Sequence, residues 1–251
     1  MPRFAANLTM LFTELPMQDR FAAAAHAGFT GVEILFPYDI AAKELARGAI
    51  AAGVEMVLLN CPPPNWAGGP RGFAAQPDQQ ERFRSDFDRA LRFAQALRAT
   101  HIHVMAGTAQ GVESHRVFVE NLRWATERAP HASLTIEPLN PTDMPGYFLN
   151  DFDQAAAIIA EVGAANLGLQ FDAYHAQMIT GDVAATWQRV AAQVRHIQIA
   201  GCPGRHEPGC GVIDYPAFFA LVEASGYRGW ISAEYEPENH TEDGLDWLPR
   251  R

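Results

Sequence analysis

The chain has 251 residues, enough for one large hydrophobic core or two small ones, and 48% are apolar against 19% charged, as in a soluble globular protein. Nineteen basic against 29 acidic residues give a net charge of −10, and Lys43 is the only lysine, which argues against a phosphate-binding surface and so against nucleic acid as a partner. No apolar run reaches the ~20 residues of a membrane span, so no membrane partner is expected.

The N-terminus "MPRFAANLTMLF" lacks a basic region followed by a long apolar one, so no signal peptide is expected. Cys61, Cys202 and Cys210 form no CxxC pair and no even framework, which suits a cytoplasmic protein. Cys202 and Cys210 flank a loop and are expected as free thiols rather than as a bridge or a metal site.

In chain order, β-type runs are predicted at 4–8, 31–35, 56–60, 101–106, 134–138, 167–172, 195–200 and 230–235. The stretches between them are "PMQDRFAAAAHAG", "AAKELARGAIAAG", "DQQERFRSDFDRALRFAQALRA", "VESHRVFVENLRWATERA", "DFDQAAAIIAEVG", "GDVAATWQRVAAQ" and "YPAFFALVEASG". Each repeats its apolar residues every three or four positions, as an amphipathic helix does. Gly28, Gly53, Gly163 and Gly226 stand where helices commonly stop. Eight strand–helix units in this length predict a single (β/α)8 TIM barrel over residues 1–251. A doubly wound sheet would use fewer strands, and no GxGxxG turn is present. The one long Pro/Gly-rich insertion, "CPPPNWAGGPRGFAAQPD" at 61–78, falls where a βα loop belongs and reads as a lid or binding loop rather than a linker, with Trp66 as its apolar contact if it closes over substrate and a solvated surface loop as the alternative.

Alternate side chains of a barrel strand face the interior. In Leu167-Gly168-Leu169-Gln170-Phe171-Asp172, Leu169 and Phe171 belong to the helix side, which leaves Gln170 and Asp172 inside. The same count turns Thr135 and Glu137, His196 and Gln198, and Ser232 and Glu234 inward. Glu137, Asp172, Gln198 and Glu234 therefore converge on the C-terminal mouth, where active sites of this fold lie. Three carboxylates in one small space repel unless a cation joins them. With an amide oxygen they form an all-oxygen set that favours Mg²⁺ or Mn²⁺ over Zn²⁺. Taken singly, any one of the four also reads as a hydrogen-bonded interior residue. His175, in "DAYH", reads equally as a group that orients substrate or ligand and as a structural histidine.

"VMAGT", "IEPLN", "MPGYFL", "LQFDAYHAQ", "HIQIAG", "RHEPG", "IDYPAFF" and "AEYEP" resemble the hydroxypyruvate isomerase family, within the xylose isomerase-like sugar isomerase and epimerase barrels. The resemblance runs over almost the whole chain. It implies metal ligands at Glu137, Asp172, Gln198 and Glu234, with glutamine where related epimerases carry histidine, and it makes Glu137 and Glu234 the proton donor and acceptor. The chain departs from the family's Gly-Glu-Ile-Asn-Tyr with Gly211-Val212-Ile213-Asp214-Tyr215, which bears on the substrate more than on the chemistry.

The expected reaction is metal-dependent isomerisation of a small hydroxy-oxo acid, foremost hydroxypyruvate to tartronate semialdehyde, with 2-oxotetronate isomerisation or sugar epimerisation as alternatives. The metal polarises two oxygens while one glutamate removes a proton and the other returns it. Arg205 and His206 are candidates for the substrate carboxylate, and Glu207 either holds Arg205 or touches substrate. Paired carboxylates also suit a glycosidase, though that chemistry has no need of Asp172 and Gln198. A multi-zinc endonuclease would want more histidines, and a sugar-acid binding module would keep the pocket without turnover. The sequence leaves a homo-oligomer open.

Overall fold

A computed structural model describes residues 3–61 and 71–249. The strands are β1 (Arg3–Asn7), β2 (Gly31–Glu33), β3 (Glu55–Cys61), β4 (His101–Val104), β5 (Ser133–Ile136), β6 (Leu167–Asp172), β7 (Val194–Ile199) and β8 (Trp230–Ala233). They pair in parallel, in sequence order, and β8 closes on β1 to complete the barrel. The helices are α1 (Met17–His26), α2 (Ala42–Ala52), α3 (Gln80–Leu97), α4 (Val112–Arg128), α5 (Phe152–Val162), α6 (Ala173–Thr180), α7 (Val183–Val190) and α8 (Tyr215–Ala224). The (β/α)8 expectation is met. No described helix is long and apolar enough to cross a membrane.

One helix was not in the predicted set. α6 starts directly after β6, because the Asp172 side chain accepts the Tyr174 backbone N–H and caps it, and Gly181 in left-handed conformation ends it. "AYHAQMIT" is too short to show a helical period. β5 and β8 also end earlier than predicted, so Glu137 and Glu234 stand one residue beyond their strands.

Packing fixes which way each strand faces. On β6 the Phe171 ring lies 5.3 Å from Phe152 of α5, 5.3 Å from Trp187 of α7 and 5.9 Å from Phe218 of α8. An aromatic locked on the helix side forces its neighbour Asp172 inward. Truncating Phe171 to alanine should cost about 3–5 kcal/mol and loosen that orientation. The interior itself begins with an apolar floor of Ala5, Val57, Leu58 and Trp230. Gly31 makes room for it, since a Cβ there would stand 2.7 Å from the Trp230 ring and 2.8 Å from Val57. Above this floor the buried side chains turn polar: His101, His196, Gln170, Glu33, His103 and Asn60.

Part of the 61–78 insertion is anchored. Gly72 bridges Ala106 beyond β4, Ala74 and Ala75 are fully buried, and Pro77–Gln79 forms a 3₁₀ turn before α3. Trp66, the proposed lid contact, lies outside the described residues.

Candidate active site

Four elements deliver the acids and the amide that inward parity selects. Asp172 ends β6 and Gln198 lies in β7, where the two are direct partners across the strand pair. Glu137 and Glu234 follow β5 and β8, and all four residues are buried. A cation already stands among them. Arg205, on the loop after β7, adopts a left-handed φ of 57° and is tied down by its backbone, accepting from Glu236 and donating to Gly201 at 2.9 Å each. Its Nη2 donates to Oε2 of Glu234 at 2.9 Å and lies 3.4 Å from Oδ2 of Asp172, with the guanidinium over the Tyr174 ring.

Burial dominates the electrostatics. It raises the Glu137 carboxyl well above its ordinary value, and the charges of Glu234 and Asp172 add to the shift. Burial likewise pushes Glu234 up to about 8, opposed by Arg205 and reinforced by Asp172 and Glu33. Asp172 is raised by burial, with Arg205 and the helix-capping N–H groups working against it. Arg205 is itself desolvated, yet the three carboxylates hold its guanidinium more firmly protonated than usual.

A chain of amides links these groups. Gln198 donates its Nε2 to Oε1 of Glu33 at 2.8 Å and accepts at Oε1 from Gln170 Nε2 at 2.7 Å. The same Gln170 nitrogen donates to Oε2 of Glu137 at 2.9 Å, while Gln170 Oε1 accepts from Thr135 at 3.0 Å. Gln198 thus keeps one carbonyl lone pair for a further partner.

His175, on α6, has its tautomer set by Asn140. Nδ1 accepts the Asn140 backbone N–H at 3.1 Å and the Asn140 Nδ2 at 2.8 Å, an amide orientation fixed by Thr142 and Asp143 bonding its oxygen. Burial, then the charge of Arg205, lowers the imidazole pKa well below 6.5, so the ring is neutral with its proton on Nε2. That N–H points towards Oδ2 of Asp172 at 3.6 Å. It is a donor, available to Asp172 or to an oxygen bound beside it.

The family model of the xylose isomerase-like TIM barrel matches residues 21–251. The 2-oxo-tetronate isomerase of Cupriavidus necator is 48% identical over 99% of this chain and 98% of its own. The hydroxypyruvate isomerase of Escherichia coli K12 is 42% identical over 99% and 98%. The chain belongs to the hydroxypyruvate isomerase family. A crystal structure from Brucella melitensis, named an AP endonuclease of family 2, superposes with a TM-score of 0.95 at 43% identity, covering 99% of this chain and 98% of that one.

Among the remaining candidates of this family member, Glu207 turns away from Arg205. Its Oε1 accepts the Glu238 backbone N–H at 3.1 Å, and it makes no ion pair with the guanidinium. His206 bonds the Glu236 carbonyl at 2.8 Å and is solvent-facing. At the departure from the family motif, Val212 is 67% exposed, while Asp214 caps α8 through the Ala217 N–H. Cys61, Cys202 and Cys210 are all free.

The donor set fits a divalent cation. Glu137, Asp172 and His175 bring ligand-type atoms within 4.8 Å of one another, and Oε1 of Glu137 is buried without a partner. With its hydrogen on Nε2, as the Asn140 bonds set it, His175 would act in that cluster as a donor, and the ligand set expected from sequence is the oxygens of Glu137, Asp172, Gln198 and Glu234. Sequence reading passed over Glu33, Asn7, His103 and Asn140. Glu33 had a usable signal, since in Gly31-Val32-Glu33-Ile34 the same count that found Asp172 turns it inward.

Proposed function

We propose that this chain is an isomerase that moves the carbonyl of a small hydroxy-oxo acid between adjacent carbons, with Glu137 and Glu234 carrying the proton. The observation that carries the reading is the presence of these two buried, mutually repelling carboxyls, both raised towards neutrality, beside one fixed guanidinium. A carboxyl poised near the working pH both gives and takes a proton effectively. In hydroxypyruvate, as in any 2-oxo-3-hydroxy acid, a proton leaves C3 and one arrives at C2 while the hydroxyl proton passes from O3 to O2. One glutamate removes the first and the other supplies the second.

Glu137, Asp172, Gln198 and Glu234 would hold a divalent cation, Mg²⁺ or Mn²⁺, whose Lewis acidity stabilises negative charge developing on the two substrate oxygens. Arg205 binds the substrate carboxylate; its Nε is buried and unpartnered, a donor left for that purpose. His175 directs its Nε2 proton at a substrate oxygen beside Asp172. The enclosure limits solvent protonation of a reactive enediolate.

Two substrates share this chemistry. The 48% identity to a protein named 2-oxo-tetronate isomerase favours the four-carbon acid over hydroxypyruvate, the acid expected from sequence. A proton NMR time course with both, with and without Mn²⁺, tests the reading; no carbonyl shift in either acid would sink it. The endonuclease name of the Brucella protein does not transfer readily to a chain of net charge −10, whose buried acids would repel a phosphodiester. Cleavage of an abasic duplex would reverse that judgement.

A further inference from the structure

One buried acid has no part in the proton transfer just described. Glu33 ends β2 inside the barrel and is fully buried. Among the described residues no arginine or lysine pairs with it. Its partners are instead Asn7 Nδ2 at 3.0 Å and Gln198 Nε2 at 2.8 Å on Oε1, and His196 Nε2 at 2.8 Å on Oε2. Burying a fourth carboxyl beneath three others is costly, and an apolar side chain of similar volume would serve the fold as well.

What Glu33 does is settle the orientation of two amides. A primary amide can turn over and exchange its oxygen for its nitrogen. Gln198 cannot, because Glu33 accepts from its nitrogen while Gln170 donates to its oxygen. Asn7 cannot either, because its Oδ1 accepts the Thr9 backbone N–H at 2.9 Å while its Nδ2 spans Glu33 and Oε1 of Glu234, the latter at 3.2 Å. One carboxylate oxygen therefore accepts both from the amide that holds Glu234 and from Gln198. From there the chain continues through Gln170 to Glu137.

We propose that Glu33 is a positioning residue for the isomerase site: as a hydrogen-bond acceptor it holds the Gln198 oxygen and the Glu234 carboxylate in the orientation that binds the divalent cation and receives the substrate proton. The inference rests on the function proposed above. It assigns Glu33 its role through reach and acceptor geometry, and that separates it from a role through charge.

Two near-isosteric variants decide between these. Glu33→Gln removes the charge but keeps an oxygen at the same reach for Asn7 and Gln198, while His196 can change tautomer to accept from the new amide nitrogen. Glu33→Asp keeps the charge but withdraws the acceptor by one methylene. Mn²⁺ affinity is measured by calorimetry without substrate, and kcat and KM by NMR turnover. Glu33→Gln should stay within about threefold of the parent in both, whereas Glu33→Asp should lose ~10–100-fold in Mn²⁺ affinity or kcat. The reverse ranking would overturn the proposal in favour of charge, and equal behaviour of both variants at parental level would overturn it in favour of a purely structural residue. If the parent protein itself neither binds Mn²⁺ nor turns over either acid, the functional reading fails and this inference falls with it. A parent that binds and turns over beside an unimpaired Glu33→Asp sinks the inference alone.

Discussion

Nη2 of Arg205 donates to Oε2 of Glu234 at 2.9 Å, so a residue proposed to receive substrate is also the counter-ion of one proposed to move its proton. The loop that carries Arg205 makes this contact through a left-handed backbone turn, which a non-glycine residue adopts only when its surroundings hold it there. If Arg205 receives the substrate carboxylate as proposed, substrate recognition and the protonation of Glu234 are coupled through one side chain.

Arg205→Met should raise KM for the acid by about tenfold or more, since a charge-assisted hydrogen bond of roughly 1.5–3 kcal/mol is lost. It should also raise the Glu234 pKa further, because Arg205 opposes the burial that pushes it up. Steady-state kinetics on hydroxypyruvate and 2-oxotetronate are the check. An unchanged KM would remove Arg205 from substrate binding and leave it as a counter-ion.

The tautomer of His175 gives a second test. If its Nε2 carries a proton, His175→Gln, whose amide N–H is also a donor, should leave Mn²⁺ affinity within about threefold while turnover falls. His175→Phe should lower turnover further, again with little effect on the metal. Loss of a true ligand would instead weaken binding strongly, and a ~100-fold drop in Mn²⁺ affinity for His175→Gln would show that the ring ligates the metal.

Acid stability should depend on His101, well below the mouth. Its ring bonds Ser133 at 2.9 Å and lies 5.5 Å from that of His196, and burial, helped by the charges of His196 and Arg195, lowers its pKa from 6.5 to about 3. Between those values the unfolded chain binds a proton that the folded chain refuses, so this contribution is present above 6.5 and is lost as pH falls towards 3. His101→Gln should flatten the fall in stability over that range by up to one proton, about 1.4 kcal/mol per pH unit. Urea titrations at about pH 7, 6, 5 and 4 measure it. Parallel slopes for parent and variant would refute it.

Side-chain parity made the barrel and its acids legible, because Phe171 and its equivalents on the helix side carry a strong apolar signal that places their neighbours inside. The method stopped at residues whose position depends on distant chain. Arg205 reaches Glu234 only through a loop conformation with no local signature. The His175 tautomer depends on Asn140, 35 residues earlier. Glu33 was within reach of the count, but the predicted run continues into apolar Ile34 and Leu35 whereas β2 stops at Glu33, so its acid did not look like a strand end. α6 escaped because eight residues hold too few turns to display a period.

The two glutamates can be tested against each other. If Glu137 and Glu234 serve only as ligands, glutamine in place of either weakens metal binding and excess Mn²⁺ restores the rate. If they carry protons, glutamine keeps an oxygen for the metal yet accepts no proton at neutral pH, so binding survives while turnover falls by ~10²-fold or more. Asp172→Asn is the control: it should weaken metal binding, with partial rescue by excess metal, because Asp172 is expected to hold the cation and, through Tyr174, the start of α6. Deuterium exchange from solvent into the substrate divides the roles, since it should persist in the variant that retains only the abstracting glutamate. Glu137→Gln or Glu234→Gln with a near-parental rate at saturating Mn²⁺ would take that residue out of proton transfer and leave the other to act alone.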